Sequence, residues 1–372
     1  MDKYVEEVFR HFSQHGQLVQ AKPFGSGHIN DTFLVKAGLD GQITKYVLQR
    51  INHDVFTDPL ALMVNYIRVT GHIREKLQDR GDTDIFRKVL TVLKSDEGES
   101  LHIDTDGNYW RLVLHIDHSL TVDVVENLDQ AYESAKEFGN FQAMLVDLPG
   151  GPLHDTIPDF HNGPKRYQAF LEALRADIAG RADSAKAEIE FLQSHAYIFD
   201  VLPKLVAQGK IPVRITHNDT KINNVLLDAD TGKGLCAIDL DTVMPGLSLY
   251  DFGDIIRTAT SSAAEDEQDL SKVNMEMDRF DAVLRGFLDG AGGFLNDTEI
   301  DNLVLGGKMI TLMIGTRFLT DYLTGDKYFK VHRLGHNLDR CRTQFKLVES
   351  IEAQEKKMQE LVIKYARKNM TA

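Results

Sequence analysis

Residues 217–246, HNDTKINNVLLDADTGKGLCAIDLDTVMPG, set Asp219, Asn224, Asp239 and Asp241 around one short turn. NVLL and LCAID are short strand candidates flanking DADTGKG, whose Asp, Thr and Gly residues suit a tight reversal. Paired antiparallel about Thr231 and Gly232, they set Leu227 opposite Cys236, Val225 opposite Ile238 and Asn224 opposite Asp239. An amide oxygen and a carboxylate then meet, which suits a hard cation such as Mg²⁺ that takes oxygen ligands and keeps water or phosphate oxygens besides. Asp219, five residues before Asn224, falls on the loop beside them. Asp239 and Asp241 are two apart, so on an extended backbone both face the same way. On this reading the turn gathers a divalent cation and a spare carboxylate at one edge of a hairpin.

Upstream of this stretch the pattern is that of a small sheet. After an opening helix in MDKYVEEVFRHFSQ come LVQAKPFG, INDTFLVKAG and TKYVLQRIN, three strand-like runs separated by Gly-containing turns. DPLALMVNYIRVTGHIREKLQ reads as a helix with Asp58 as cap and Pro59 in its first turn. Two further strands fit FRKVLTVLKS and NYWRLVLHI. From about His118 the apolar spacing becomes helical and stays so, interrupted by the Gly/Pro-rich LPGGPLHDTIPDFHNGP and by the hairpin. The expectation is an α+β, bilobal plan: 1–117 as a small antiparallel sheet with one helix, and 118–372 as a larger, mostly helical half.

Composition narrows the partners. A formal charge of −14 over 372 residues, with no compensating Lys/Arg block, argues against nucleic acid or an anionic membrane surface. An anionic cofactor remains compatible, because it answers to a local site. Cys236 and Cys341 match no metal or redox spacing and read as small core residues of a reducing cytosol. The start has no apolar run of the kind a secretory signal carries, and MITLMIGTRF is short for a membrane span and contains Arg317. It reads as a buried helix, and the location expected is cytoplasmic. Nothing in the pattern demands an oligomer, and a monomer is compatible with it.

ITHNDTKINNVLL followed by AIDLDTVMPG resembles the catalytic and metal segments of the aminoglycoside-phosphotransferase-like kinases, small-molecule relatives of the protein kinases. FGSGHINDTFLV, YVLQRIN, YDFGD, EDEQDLSKV, RFLTDYLTGDKYF and HNLDRCRTQFKLV extend the likeness over nearly the whole chain. Within that family they are similar to the N-acetylhexosamine 1-kinases. The resemblance implies a protein-kinase-like fold and an ATP- and Mg²⁺-dependent transfer to the anomeric hydroxyl of N-acetylglucosamine or N-acetylgalactosamine. It makes Asp219 the catalytic base and Asn224 and Asp239 the Mg²⁺ ligands. Phosphoryl transfer leaves little covalent work to the protein, so positioning and charge neutralisation dominate. His217 is then a brace for the loop, and Asp241 is open between metal, sugar and structural support. The later DFG is structural, with Asp254 bracing the loop.

Gly25, Ser26 and Gly27 form either a plain hairpin turn or a loop that lets backbone N–H groups approach phosphates. Gln49 and Arg50 stand where a protein kinase has its strand Lys, and either is a candidate for the phosphates. Main-chain groups at His115 and Ile116 are candidates for the adenine. The resemblance gives His28, Asn218, Asp219, Arg317 and Tyr328 to the sugar. Read alone, Arg317 and Asp321, four apart on a helix, are an ordinary ion pair. Gly325 reads as that helix's C-terminal residue, with Tyr328 just beyond. Two other readings stand beside the sugar kinase. One keeps the fold and takes an aminoglycoside, a choline-like amine or another small alcohol as acceptor. The other is a nucleotide-binding pseudokinase, motivated by the missing strand Lys.

Overall fold

In the computed structural model the N-terminal runs form strands, and INDTFLVKAG and TKYVLQRIN bury Val35 with Ala37 and Tyr46 with Leu48, pairs two residues apart. The structure describes residues 3–25 and 29–369. The chain divides into two compact units. The first takes Met1–Ser119, Asp147–Pro158 and Ile238–Met244, and the second Leu120–Val146, Asp159–Ala237 and Pro245–Ala372.

In the first unit β1 (Gln17–Pro23), β2 (Asp31–Leu39) and β3 (Gln42–Ile51) form the expected antiparallel meander. β4 (Val92–Leu93), β5 (His102–Ile103) and β6 (Tyr109–Leu114) complete a sheet of order β1-β2-β3-β6-β4, with β5 also on β6. Val35, Ala37, Tyr46, Leu48, Trp110 and Leu112 are buried with Val5, Val8, Phe9 and Phe12 of the opening helical segment in one apolar cluster. The helix Pro59–Asp79 starts as its sequence predicts, with the Asp58 carboxylate accepting from Ala61 N–H at 2.9 Å. FRKVLTVLKS departs from expectation. It gives one helical turn, Ile85–Lys88, and only the two-residue β4. The reason lies in β6, whose free edge is shared: Leu112 and Val113 pair with β4, while Tyr109 and Trp110 pair with β5.

The second unit is mostly helical, in keeping with the protein-kinase-like fold. Helices Leu128–Leu145 and Met277–Ala291 approach backbone to backbone, and a Cβ on Gly290 would lie 2.1 Å from the Lys136 carbonyl oxygen. Helix Leu303–Thr324 contains MITLMIGTRF and has the length and hydropathy of a membrane span, yet 78% of its apolar window is buried inside the protein. It is a core helix. Cys236 and Cys341 are buried free thiols.

The hairpin forms from Val225–Asp228 and Gly234–Ala237, but in a different register from that predicted. Val225 pairs with Ala237, Leu226 with Cys236 and Leu227 with Gly234, with a slip between Gly234 and Cys236. The turn closes earlier than a centre at Thr231 and Gly232 allows. Asp228 N–H donates to the Lys233 carbonyl at 2.8 Å, and the Asp228 carboxylate takes Thr231 N–H at 2.8 Å. The chain absorbs the difference as a bulge.

Candidate active site

The loop that carries Asp219 is hung on one carboxylate. Asp251, buried in the first turn of helix Ser248–Ala259, accepts from the backbone N–H groups of His217 at 2.8 Å and Asn218 at 2.7 Å. Gln142 Nε2 donates to the same carboxylate at 2.5 Å, and Thr220 Oγ1 donates to the Asp251 carbonyl at 2.6 Å. The brace is therefore Asp251, a correction to the Asp254 expected from sequence. Asp254 lies one turn on and accepts from Arg257 Nε at 2.7 Å. Burial raises the Asp251 pKa to about 6, against the opposing pull of His217 and the donated hydrogen bonds. His217 braces as expected. Its buried ring stands edge-on to Phe138 and Phe141, with centroids 5.3 and 5.7 Å away.

Asn218 takes a left-handed φ of 64°, and its side chain turns inward, where Oδ1 accepts from Thr216 Oγ1 at 3.0 Å. A Cβ at Gly246 would sit 2.1 Å from that hydroxyl and 2.7 Å from Asn218 Oδ1, so the glycine of VMPG is what leaves room for the loop. The turn presents Asp219. Lys221 Nζ stands 3.0 Å from its Oδ1, and Asn224 Nδ2 donates to its carbonyl at 2.8 Å and to its Oδ2 at 3.1 Å. Burial by itself would raise the Asp219 pKa. The Lys221 charge and hydrogen bond, with His217 and Arg257 behind, outweigh burial and hold it below the usual carboxylate value. Asp219 is thus an ionised carboxylate at neutral pH. Asn224 spends its Nδ2 on Asp219, so its amide oxygen remains the group to offer a cation.

His161 joins this group without having been singled out from sequence. Its Nε2 lies 2.9 Å from the Asn218 carbonyl, an acceptor only, so Nε2 carries the hydrogen. Burial holds the imidazole neutral, with its pKa down to about 4, so Nδ1 is an acceptor; that atom is buried with no partner among the described residues. Its place in the Gly/Pro-rich stretch gave no signal. Lys221 was visible as the Lys of D-T-K, two residues past Asp219.

Arg317 and Tyr328 come together, with Arg317 Nη2 3.2 Å from the Tyr328 hydroxyl. The guanidinium also lies over the Phe160 and Phe329 rings, 5.5 and 5.4 Å from their centroids. Asp321 is not its surface partner. It is buried and accepts from the backbone N–H groups of Lys327 and Tyr328 at 2.8 Å each and of Phe329 at 2.9 Å. Gly325 ends the helix in the left-handed region as predicted, φ 93°. The loop presenting Tyr328 is thus tied to the helix carrying Arg317.

In the first unit Asp239 has φ 59°, and Leu240–Thr242 forms a 3₁₀ turn, so the strand alternation assumed for Asp239 and Asp241 does not hold. Asp241 is structural. It receives Nη1 and Nη2 of Arg111, the latter at 3.0 Å, and Asn30 Nδ2 at 2.6 Å. Arg111 Nε donates to Gln49 Oε1 at 3.0 Å, and its guanidinium lies 4.7 Å over the Tyr66 ring. Burial works against the Arg111 charge, but Asp241 first, then Tyr66 and Asp239, keep it firmly protonated. Sequence reasoning missed Arg111, whose signal was a lone cation inside the apolar strand YWRLVLH.

The other nucleotide-side candidates are placed as follows. Gln49 Nε2 donates to Thr32 Oγ1 at 3.1 Å, and Arg50 pairs with Asp31 and Asn108. The His115 N–H donates to the Lys45 carbonyl at 3.1 Å, continuing the β3–β6 ladder. Ile116 is buried, and its carbonyl accepts from Ser119 Oγ at 2.7 Å. Gly25 has φ 82° and open space where a Cβ would be. Ser26, Gly27 and His28 lie outside the described residues.

Residues 20–281 match the APH phosphotransferase enzyme family, and the chain belongs to it. It is a small-molecule phosphotransferase of that family. Among solved structures it is similar to a microcompartment-associated aminopropanol kinase, at 12% identity and TM-score 0.57, covering 96% of this chain and 98% of that one. An aminoglycoside phosphotransferase from Alicyclobacillus acidocaldarius matches at 12% identity and TM-score 0.55, covering 95% and 93%. An ethanolamine kinase from Plasmodium vivax matches at 13% and 0.51, covering 91% and 86%. At these identities the likeness is one of fold.

Proposed function

We propose that this protein is an ATP- and Mg²⁺-dependent kinase that phosphorylates the anomeric hydroxyl of N-acetylhexosamines. The observation that carries the transfer chemistry is Asp219: ionised, gripped by Lys221 at 3.0 Å and steadied by Asn224 at 3.1 Å. Such a carboxylate orients a hydroxyl and accepts its proton, work worth about 10²–10⁴ in rate. The donor set fits magnesium, an amide oxygen from Asn224 and a carboxylate from Asp239, both hard ligands. When bound, the ion would offset charge on the ATP phosphates. Gly25, Ser26 and Gly27 are proposed for the phosphates. Ile116 is proposed for the adenine, since the His115 N–H is already engaged by Lys45.

The acceptor rests on the resemblance of RFLTDYLTGDKYF to the N-acetylhexosamine 1-kinases and on the pairing of Arg317 with Tyr328, which offers a guanidinium and a phenol to hydroxyl and acetamido groups. The expected compartment is the cytoplasm. In the reaction the sugar O1 attacks the γ-phosphorus, the bond from phosphorus to ADP breaks, and Asp219 takes the hydroxyl proton. The C1–O1 bond survives. Phosphorus and proton NMR of the product from N-acetylglucosamine carrying ¹⁸O at C1 tests this: label retained in a 1-phosphate is expected. Phosphate on O6, or loss of the label from the bridge, would overturn it.

A further inference from the structure

His11, Glu97 and His102 meet at the surface of the first unit, each from a different segment of chain. His11 lies in the 3₁₀ segment Arg10–His15, Glu97 in the turn between β4 and β5, and His102 in β5. One nitrogen from each ring and one carboxylate oxygen all stand within 4.8 Å of one another. His11 Nδ1 is 3.4 Å from Glu97 Oε1, and the two imidazoles stack with centroids 3.8 Å apart.

The backbone beneath these side chains is fixed. Asp96, next to Glu97, accepts from Ser13 N–H at 3.0 Å, Ser13 Oγ at 2.7 Å and Gln14 N–H at 3.0 Å, and its own N–H donates to the His11 carbonyl at 2.8 Å. Gln14 Nε2 donates to the Lys94 and Ser95 carbonyls, each at 2.8 Å. The turn closes on itself through Ser95 N–H to the Glu99 carbonyl at 2.7 Å and Gly98 N–H to the Ser95 carbonyl at 2.9 Å. His102 is registered opposite Trp110 of β6. Groups carried on such a frame lose little freedom when they close on a ligand. Among the described residues the His102 imidazole meets the His11 ring and, edge-on at 6.4 Å, the Phe12 ring, but no hydrogen-bond partner. Burial first, then the neighbouring His11, lowers its pKa below the usual histidine value, so at neutral pH the ring is uncharged and keeps a lone pair to give.

Two imidazoles and a carboxylate are the donors of a borderline divalent ion such as Zn²⁺. Mg²⁺ takes oxygen ligands, so this group differs in kind from the amide and carboxylate oxygens of Asn224 and Asp239. Tetrahedral Zn²⁺ with bonds of about 2.0–2.1 Å holds its ligand atoms roughly 3.3 Å apart. The His11–Glu97 edge is already that long. The other two edges shorten by about 1.5 Å at most, which rotation of the part-exposed side chains supplies as the ring stack opens.

We propose that His11, Glu97 and His102 form a transition-metal site that takes Zn²⁺, with water in the fourth position, and clips the opening helical segment to the β4–β5 turn and β5. The site stands apart from the kinase chemistry and does not depend on it. An ion held only by the folded chain stabilises that chain by mass action.

The test uses the full chain, stripped of metal with a chelator and desalted, in the absence of nucleotide. Zn²⁺ is titrated into it by calorimetry, and melting temperatures are read in chelator, in Zn²⁺ and in Mg²⁺. The wild type should bind Zn²⁺ at this site and melt higher as Zn²⁺ rises. His11→Gln and His102→Gln should each weaken that binding by at least ~tenfold, equivalent to about 1.4 kcal/mol, and lose most of the zinc-dependent rise in melting temperature. Their response to Mg²⁺ should equal that of the wild type, because imidazoles contribute little to a hard ion. Glu97→Gln removes a ligand from an exposed turn, where folding is not at stake, and should weaken Zn²⁺ in the same way. If a histidine variant melts lower than the wild type in chelator, Glu97→Gln decides the matter. Absence of zinc binding by the wild type, or undiminished binding in Glu97→Gln, overturns the proposal. So does equal affinity in the wild type and a folded His102→Gln, which would put the ion elsewhere on the chain.

Discussion

Arg111 closes on Asp241 through both Nη atoms in the interior of the first unit, with side chains only 1% and 2% exposed. Gln49 from the neighbouring strand steadies Nε, and Tyr66 lies beneath the guanidinium. Removing one partner strands the other's charge, at a cost of about 3–5 kcal/mol, whereas removing both with apolar residues is close to neutral. Arg111→Met and Asp241→Leu should each destabilise on that scale, and the double variant should recover most of the loss. Urea unfolding of the four proteins measures the coupling, and additive single losses would show that the pair is not a unit.

The same geometry separates the two acids of IDLD. Asp241 is committed to Arg111 and Asn30, while Asp239 is the proposed magnesium ligand. Asp239→Ala should abolish Mg²⁺-dependent nucleotide binding more severely than Asp241→Ala. Titration of Mg²⁺·ATP into both, well below each melting temperature, checks this. Equal losses, or a greater loss in Asp241→Ala, would transfer the metal role.

Legibility in the sequence followed the range of the forces involved. The meander, the capped helix after Asp58 and the apolar helix around Met309 rest on local periodicity and capping, which a sequence displays directly. The hairpin register depended on how Asp228 closes its turn, a choice between reversals of nearly equal sequence merit. Asp241 is held by Asn30, 211 residues away, Asp251 by Gln142, 109 away, and Asp321 by Asn337, 16 away, and no periodicity reports such distances. D-x-D read as two carboxylates facing the same way, and Y-D-F-G-D as a structural segment braced by Asp254. Folding gave each acid a separate task.

Two buried groups beside the Asp219 loop should give the stability profile opposing slopes. Asp251 has a pKa raised from 3.8 to about 6, so its protonated form is favoured in the folded state. Its contribution is fully present below pH 3.8 and is lost as pH rises through 6. His161 is depressed from 6.5 to about 4; its contribution is present above 6.5 and lost as pH falls through 4. Each is worth about 3 kcal/mol at most, at 1.36 kcal/mol per unit, so across the shared window the two largely cancel. Asp251→Asn should therefore make stability fall more steeply between pH 6.5 and 4, and His161→Gln should make it fall less. Chemical denaturation across that range reads both slopes, and parallel curves for the two variants would contradict the assignment.

The final prediction concerns the charge that tunes the proposed base. Asp219→Asn keeps size and shape but removes the proton acceptor, so turnover should fall by at least ~10² with nucleotide binding retained. Near-normal turnover would remove Asp219 from that role. Lys221 is the first of the influences that lower the Asp219 pKa, and burial opposes it. In Lys221→Met the burial remains and the attraction goes, so the pKa must rise. A base works only when deprotonated, and activity is lost as pH falls through its pKa. The acid limb of the kcat/KM profile should therefore move to higher pH in Lys221→Met, with the alkaline side unchanged. A uniform loss with no movement of the limb would mean that Lys221 acts on the phosphates or the acceptor and not through Asp219.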